Sequence, residues 1–192
     1  VLGLLAAALG IRRDGDFTKL DRLRVAVAVF DTGAALRDYH TVQTVPTSAA
    51  RRPQSRPEAL ARAGQGANTT ITHRDYRTGV LFGVALAGAE LEGLRDALEA
   101  PVFHLYLGRK SCPLSAPLSP LIVPADSPEA ALARLQLPPW HAKAAATWLY
   151  DDAGSAALIE TRHDSPRDRR LWHFAPRGVH ARPVEIRPGE SR

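Results

Sequence analysis

A polar stretch at residues 44–72 separates two short apolar runs, and this interruption limits the folds that the chain can adopt. The run before it reads RVAVAVFD at residues 24–31, and the run after it reads VLFGVALAG at residues 80–88. Each run is apolar on both faces, which predicts a covered strand in the centre of a sheet. The stretch between them contains three prolines and two glycines. We therefore expect a long irregular insertion between two central strands.

Helical and strand patterns flank these runs. The patterns are an apolar helix in VLGLLAAALG (1–10), a capping box in TKLD (18–21), an amphipathic helix in ELEGLRDAL (90–98) and a third strand in VFHLYLG (102–108). The elements thus follow in the order helix, strand, insertion, strand, helix, strand. This is the order of a ferredoxin-like βαββαβ unit that lacks its first strand. We therefore expect an α+β, ferredoxin-like domain whose N-terminal strand is missing.

The last third of the chain has a different pattern. Five segments lie there: a short helix at PEAALARL, then the strand-like ATWLY, AALIETR, RLWHFAP and VHARPVEI. They predict a small antiparallel β region, with Trp140, Trp148 and Trp172 in its core. The expected division is a domain at 1–118, with its insertion at 37–78, followed by the β region at 119–192.

The basic residues of this 192-residue chain are almost all arginines. Lysine and arginine number 25 against 20 acids, and only three of the 25 are lysines. The polar stretch at residues 44–72 has four arginines against one acid, Glu58. Because arginine grips phosphates and stacks on bases, this composition favours nucleic acid as a partner, although only weakly. A single cysteine, Cys112, excludes an internal disulfide and favours a reducing compartment, the cytoplasm.

Two similar clusters flank the insertion. RDYHTVQ begins at Arg37 and HRDY begins at His73. The candidate residues are Arg37, Tyr39 and His40 where the chain leaves the sheet, and His73, Arg74 and Tyr76 where it returns. They are expected to be neighbours across the base of one hairpin. An alternative is that both tyrosines and His40 are structural, with the tyrosine hydroxyls bonded to Asp38 or Asp75.

A basic turn follows the predicted third strand. In GRKSCP, Gly108 allows close backbone approach, Arg109 and Lys110 suit phosphate, and Ser111 supplies a hydroxyl. The spacing is not that of a Walker loop. The alternative is a basic turn at the surface without a ligand.

The motifs LRDYHTVQ, THRDY and LYLGRKSCPLSAPL, after the helix GLLAAALGIRRD, closely resemble the CasD family. This family is the subunit of the type I-E CRISPR surveillance complex, Cascade, that binds the 5′ handle of crRNA. The resemblance implies a domain of the RNA-recognition-motif type with a protruding thumb hairpin, here 37–78. It also implies that the partners are crRNA, the large subunit and a backbone subunit, with target DNA contacted indirectly. No cofactor, metal, catalytic residue or membrane contact is expected.

The resemblance also assigns roles to the candidates. The residues expected to neutralise phosphates are Arg37, Arg74, Arg109 and Lys110. Those expected to stack on bases are Tyr39, His40 and Tyr76. Ser111 and the amides around Gly108 would form hydrogen bonds with a phosphate or with the edge of a base. His73 would help to brace the hairpin and contact RNA. Arg51, Arg52 and Arg56 in the thumb would contact the RNA backbone or a neighbouring subunit.

Two other functions remain open from the sequence. One is a metal-independent endoribonuclease that processes CRISPR repeat RNA with Tyr39, His40 and Lys110. The other is a general or ribosome-associated RNA-binding protein of ferredoxin-like fold.

Overall fold

A computed structural model of the chain describes residues 1–156, 158–171 and 173–189. The helices are α1 (Leu2–Ala8), α2 (Thr18–Asp21), α3 (Arg56–Ala63), α4 (Leu91–Glu99) and α5 (Pro128–Leu132). The strands are β1 (Arg24–Asp31), β2 (Ala34–Thr44), β3 (Asn68–Thr78), β4 (Leu81–Ala87), β5 (Ala146–Asp151), β6 (Leu158–Asp168) and β7 (His173–Ile186). Two short 3₁₀ helices lie at Gly64–Gly66 and Pro139–His141. The chain forms two compact units, one from Val1–Asp31 with Leu81–Arg192 and the other from Thr32–Val80.

The larger unit is built on a five-stranded antiparallel sheet with the order β4-β1-β5-β7-β6. The strand β1 lies inside the sheet, as its apolar sequence predicted. The strand β4 was also predicted to be central, and this prediction is wrong, because β4 lies at one edge. The strands β5, β6 and β7 come from the region expected to form its own β structure, but they extend the same sheet.

Alternation of side chains along β1 creates two cores. Ala26, Ala28 and Phe30 point to one face, where they pack with Leu132 of α5 and Leu149 of β5. The opposite face packs against α1, α2 and α4. The buried side chains of that second cluster are Leu5, Ala6, Phe17, Leu20 and Leu94.

Three local predictions need correction. Residues 102–108 are irregular, with one isolated bridge between Tyr106 and Pro113, and they form no strand. The segments RLWHFAP and VHARPVEI were expected to be two strands, but from His173 to Ile186 they form the single long strand β7, and Arg170 and Leu171 lie in the turn before it. The capping box predicted for TKLD is absent: Thr18 is the first residue of α2 and Phe17 is its N-cap, while Asp16 accepts hydrogen bonds from the Thr18 amide and hydroxyl.

Trp140 and Trp148 do not fill a core as expected. Trp140 is 64% exposed and Trp148 is 38% exposed, and Trp172 lies outside the described residues. Trp148 alternates with the buried Leu149 and therefore lies on the other face of β5. Leucine, alanine, isoleucine and phenylalanine fill the described core instead.

The smaller unit contains a helix that the sequence analysis missed. The helix α3 lies in the stretch expected to be irregular, and its N-cap Ser55 accepts a hydrogen bond from the Glu58 amide. Ala50, Ala59 and Ala63 are buried in this unit. Among the described residues, no helix combines the length and apolar character that crossing a membrane requires.

Candidate nucleic-acid interface

The smaller unit consists mainly of a two-stranded antiparallel ribbon, β2 with β3, which we call the ribbon. Its register is continuous from Ala34 opposite Thr78 to Thr44 opposite Asn68. Tyr39 lies opposite His73, and Arg74 lies opposite Asp38. The two sequence clusters are therefore brought together, as predicted. They lie within the ribbon, several residues from the end at which Ala34 pairs with Thr78.

The ribbon divides the predicted site residues between two faces. Residues directly opposite each other point to the same face, and neighbours in sequence point to opposite faces. Arg37, Tyr39 and His73 share one face, which we call the Tyr39 face. The other face, which we call the His40 face, holds His40, Arg74 and Tyr76. A single surface that uses all six side chains is therefore excluded.

On the Tyr39 face, an aromatic pair lies beside an ion pair. The side chain of Tyr39 is 66% exposed, directly across from the exposed His73. This exposure argues against the structural alternative for Tyr39, in which the ring packs at the base of the hairpin, and Asp38 lies on the other face. Cross-strand neighbours are close enough for their rings to form one flat surface. The Tyr39 face thus offers two rings on which unpaired bases can stack.

The ion pair next to these rings is bidentate. Arg37 donates from Nε to Asp75 Oδ1 at 2.7 Å and from Nη2 to Asp75 Oδ2 at 3.2 Å. Their hydrogen bonds raise the pKa of Arg37 and lower the pKa of Asp75 from their ordinary values. Because two donors of Arg37 are engaged by Asp75, Arg37 is better placed to hold the two strands together than to neutralise a phosphate.

On the His40 face, one imidazole nitrogen has two neighbours. His40 Nε2 lies 2.8 Å from Asp38 Oδ2 and 3.2 Å from Arg74 Nη1. A protonated Nε2 donates to the carboxylate, whereas an unprotonated Nε2 accepts from the guanidinium. Either way, His40 has a partner within the ribbon, which agrees with its structural alternative. Tyr76 is half-buried on this face, opposite Leu36.

The thumb arginines differ from one another. Arg51 and Arg52 are exposed in the loop before α3, and Arg52 has a positive φ of 46°. Arg56 instead donates from Nη2 to the Gln43 carbonyl at 2.6 Å. Arg56 therefore joins the start of α3 to the end of β2, while Arg51 and Arg52 present their charge to the solvent.

The predicted basic turn belongs to the larger unit. Gly108, Arg109, Lys110 and Ser111 are all exposed, and the Cys112 amide donates to the Arg109 carbonyl at 2.8 Å. The Arg109 amide also donates within the turn, to the Leu107 carbonyl at 3.0 Å. Gly108 has φ of 79°, a conformation that glycine adopts without strain. The turn thus exposes two cationic side chains to solvent. The backbone amides of Arg109 and Cys112, however, already donate hydrogen bonds within the turn and are not available to bind a phosphate.

Sequence reasoning missed the acidic members of the site. Asp38 and Asp75 were considered only as partners of tyrosine, whereas they hold His40 and Arg37. Strict alternation along RDYH, applied to two paired strands, would have separated the two faces. The signal for α3 was also present, since SRPE at 55–58 is a capping-box pattern.

These features define a class of protein: a mixed α/β protein with a mostly antiparallel sheet and a separate arginine-bearing ribbon unit. The chain belongs to the family described as CRISPR-associated protein (Cas_Cas5), whose model matches residues 1–180. Membership of the CasD family, predicted from three motifs, is thereby confirmed. The chain is 34% identical over 149 residues to the CRISPR system Cascade subunit CasD of Escherichia coli (strain K12). This match covers 69% of the chain and 61% of that relative, so it spans less than two thirds of the relative's length.

Two solved structures are similar along nearly the whole chain. One is titled CRISPR RNA-guided surveillance complex and matches with a TM-score of 0.64 and 27% identity, over 98% of this chain and 81% of that one. The other, titled Crystal structure of Cas protein, matches with a TM-score of 0.63 and 28% identity, over 100% of this chain and 82% of that one. Both support the mixed α/β fold.

Proposed function

We propose that this protein is a non-catalytic RNA-binding subunit of a type I-E CRISPR surveillance complex, Cascade. In this role it caps the 5′ handle of crRNA and contacts the large subunit and a backbone subunit in the cytoplasm. The observation that carries the proposal is the exposed Tyr39–His73 pair on one face of the ribbon. The names of the relatives support the complex: one is a Cascade subunit and another is an RNA-guided surveillance complex.

The proposal includes the finer fold. The ribbon unit is the thumb. The ferredoxin-like domain, of the RNA-recognition-motif type, includes β1, β4, α1 and α4. Its support is that Leu5 of α1 and Leu94 of α4 share one core on one face of the sheet. Two helices on one face of an antiparallel sheet are typical of that fold.

The side chains divide the work by chemistry. Tyr39 and His73 stack on unpaired bases of the handle, because single-stranded RNA exposes the faces of its bases. Arg51 and Arg52 attract phosphates, as do Arg109 and Lys110 at the basic turn. Arg37 and Asp75 keep the ribbon in register, which fixes the rings at their positions.

The geometry favours binding over cleavage. Cleavage at a ribose requires a base near the 2′-hydroxyl and a cation near the leaving oxygen. Tyr39, His40 and Lys110 were the candidates for this chemistry, but Tyr39 and His40 point to opposite faces of the ribbon. They therefore do not converge on one hydroxyl group.

The test uses the assembled complex with fluorescently labelled crRNA. Replacing both rings, Tyr39→Ala with His73→Ala, removes two stacking surfaces, each worth roughly 1–3 kcal/mol. We expect the Kd for RNA, measured by anisotropy, to rise at least about tenfold. Tyr39→Phe keeps the ring and is expected to retain nearly full affinity.

The matched control is Leu36→Ala, which also removes an exposed side chain, 50% exposed, but on the His40 face. If Leu36→Ala weakens RNA binding as much as the double variant, the ribbon acts through its protein contacts and the stacking role is wrong. The purified protein alone is also incubated with repeat RNA in EDTA, and the RNA is run on a denaturing gel. Specific shortening of repeat RNA would show that the protein is the ribonuclease and not the binding subunit.

A further inference from the structure

Arg169 joins two basic segments of the larger unit. It lies in the turn between β6 and β7, and it donates from Nη2 to Asp21 Oδ1 of α2 at 3.0 Å. Its guanidinium group also lies 3.6 Å from the centre of the ring of Phe17, the N-cap of α2. These two contacts fix the β6–β7 hairpin against α2. The exposed arginines beside them form what we call the hairpin–α2 surface, and they are Arg22, Arg167 and Arg170.

The acids beside this surface already have partners. Arg169 holds Asp21, and Asp168 Oδ1 accepts two backbone amides of the hairpin turn at 2.8 and 2.9 Å. The three arginines of the surface differ, because their guanidinium groups have no acidic partner among the residues that the structure describes. A guanidinium group carries five N–H donors, so each of the three is available to bind an anion.

The two joined segments are also basic in sequence. Residues 162–173 contain four arginines against two aspartates, and residues 11–24 contain five cations against three aspartates. Each segment thus has an excess of two positive charges, whereas the whole chain has a net charge of +5. A large share of the positive excess therefore lies in the segments that Arg169 joins. Clustered arginines of this kind suit the phosphates of a nucleic acid.

The form of the surface favours a double helix over a single strand. Single strands are usually bound by aromatic rings that stack on the bases, together with cationic groups. The Phe17 ring between the two segments is buried beneath Arg169, so it cannot receive a base. A double helix keeps its bases inside and presents regularly spaced phosphates on a stiff backbone. Guanidinium groups on two segments that are fixed together can match such a backbone.

We propose that the hairpin–α2 surface binds the phosphate backbone of double-stranded DNA without reading its sequence. Each of its three arginines neutralises one phosphate and so releases counterions. The surface uses none of the residues assigned above to the crRNA handle. The choice of DNA rests on the proposed function, whose expected partners include target DNA. A direct contact with the duplex goes beyond the indirect contact expected there.

The probe is a fluorescently labelled DNA duplex whose sequence is unrelated to the crRNA, and its binding to the purified protein is measured by anisotropy at several salt concentrations. Arg167→Ala with Arg170→Ala removes two phosphate contacts. The slope of the logarithm of the binding constant against the logarithm of the salt concentration should become less steep by about 1.8. Between about 50 mM and 200 mM salt, this is roughly a twelvefold change in the ratio of the two affinities. Arg22→Ala, on the other segment, should reduce the slope by about 0.9.

The matched control removes the same charge from another part of the larger unit. Arg95 lies 2.6 Å from Asp96, and Arg187 lies 2.7 Å from Glu185, so both arginines are paired. Arg95→Ala with Arg187→Ala is expected to leave the slope almost unchanged. Equal slopes for the two double variants would show that the duplex responds only to net charge, and the proposal would then be wrong. The same holds if the parent does not bind the duplex at low salt.

Two further measurements separate this proposal from the RNA-binding role. Tyr39→Ala with His73→Ala is expected to bind the duplex like the parent, and Arg167→Ala with Arg170→Ala is expected to bind labelled crRNA like the parent. If the arginine variant weakens binding of crRNA as much as binding of the duplex, the surface belongs to the RNA site and the proposal is overturned. Unchanged crRNA binding by the ring variant would contradict the stacking role alone and leave the duplex result standing.

Discussion

The basic turn at residues 108–111 makes a quantitative prediction about how RNA binding depends on salt. Arg109 and Lys110 are exposed there, and each is expected to neutralise one phosphate of the crRNA handle. For single-stranded RNA the logarithm of the binding constant falls with the logarithm of the salt concentration, with a slope of about −0.7 per phosphate contact. Replacing both with alanine should therefore make that slope less steep by about 1.4.

This change in slope can be expressed as affinities. Between about 50 mM and 200 mM salt, a slope difference of about 1.4 corresponds to roughly a sevenfold change in the ratio of the two affinities. The double variant should thus lose much more affinity at low salt than at high salt. The assay is fluorescence anisotropy of the assembled complex with labelled crRNA at several salt concentrations.

The chain offers a matched control with the same change in charge. Lys19 lies 2.7 Å from Glu90, and Arg95 lies 2.6 Å from Asp96, so both cations are paired on the surface. Lys19→Ala with Arg95→Ala removes one lysine and one arginine, as the test variant does, and is expected to leave the slope almost unchanged. Equal slopes for the two double variants would show that only net charge matters. The turn would then not be part of the RNA site.

Three further predictions concern stability. Gly83→Ala should destabilise the protein by about 1–3 kcal/mol in urea unfolding, because the added Cβ would lie 2.7 Å from Leu135 Cδ1. The comparison variant is Gly93→Ala in α4, where the added Cβ has no neighbouring atom within 4 Å. This variant should stabilise the protein by about 0.5–1 kcal/mol. Ser55→Ala removes the N-cap of α3 and should speed amide exchange within that helix, by the equivalent of about 1 kcal/mol. A hydrogen bond from an arginine lowers the pKa of Asp164, so its stabilisation is present above the ordinary aspartate pKa and lost as pH falls through the lowered value. Asp164→Asn should therefore lower the urea midpoint at neutral pH and match the parent in strong acid.

Each of these has a clear contrary result. If Gly83→Ala is as stable as the parent, the neighbouring side chains can move and the core is looser than the distances indicate. Unchanged exchange in the Ser55→Ala helix would mean that the cap contributes nothing there. If the urea midpoints of Asp164→Asn and the parent differ by the same amount at every pH, protonation of Asp164 does not contribute to the loss of stability in acid.

The elements that could be predicted are those with a local physical signal. RVAVAVFD is apolar on both faces, and it does form an inner strand. The helix in ELEGLRDAL was predicted from the spacing of its leucines, and α4 covers nearly the same residues. Residues 102–108 alternate like a strand but lack a pairing partner among the described strands, and alternation alone cannot supply one. The helix α3 had a capping signal, but the surrounding prolines and glycines outweighed it in the interpretation.

The sequence by itself determined the family, the arginine-rich character and the pairing of the two Arg-Asp-Tyr clusters, because these depend on residue identity and order. Only the tertiary structure decided which candidates share a surface. A slip of one residue in the register of β2 and β3 would place Arg74 or Thr72 opposite Tyr39 in place of His73, and no local preference fixes that register. The tertiary structure likewise decided that β4 lies at an edge of the described sheet, because the position of a strand depends on partners distant in sequence. Here β1 pairs with β4 on one side and with β5 on the other.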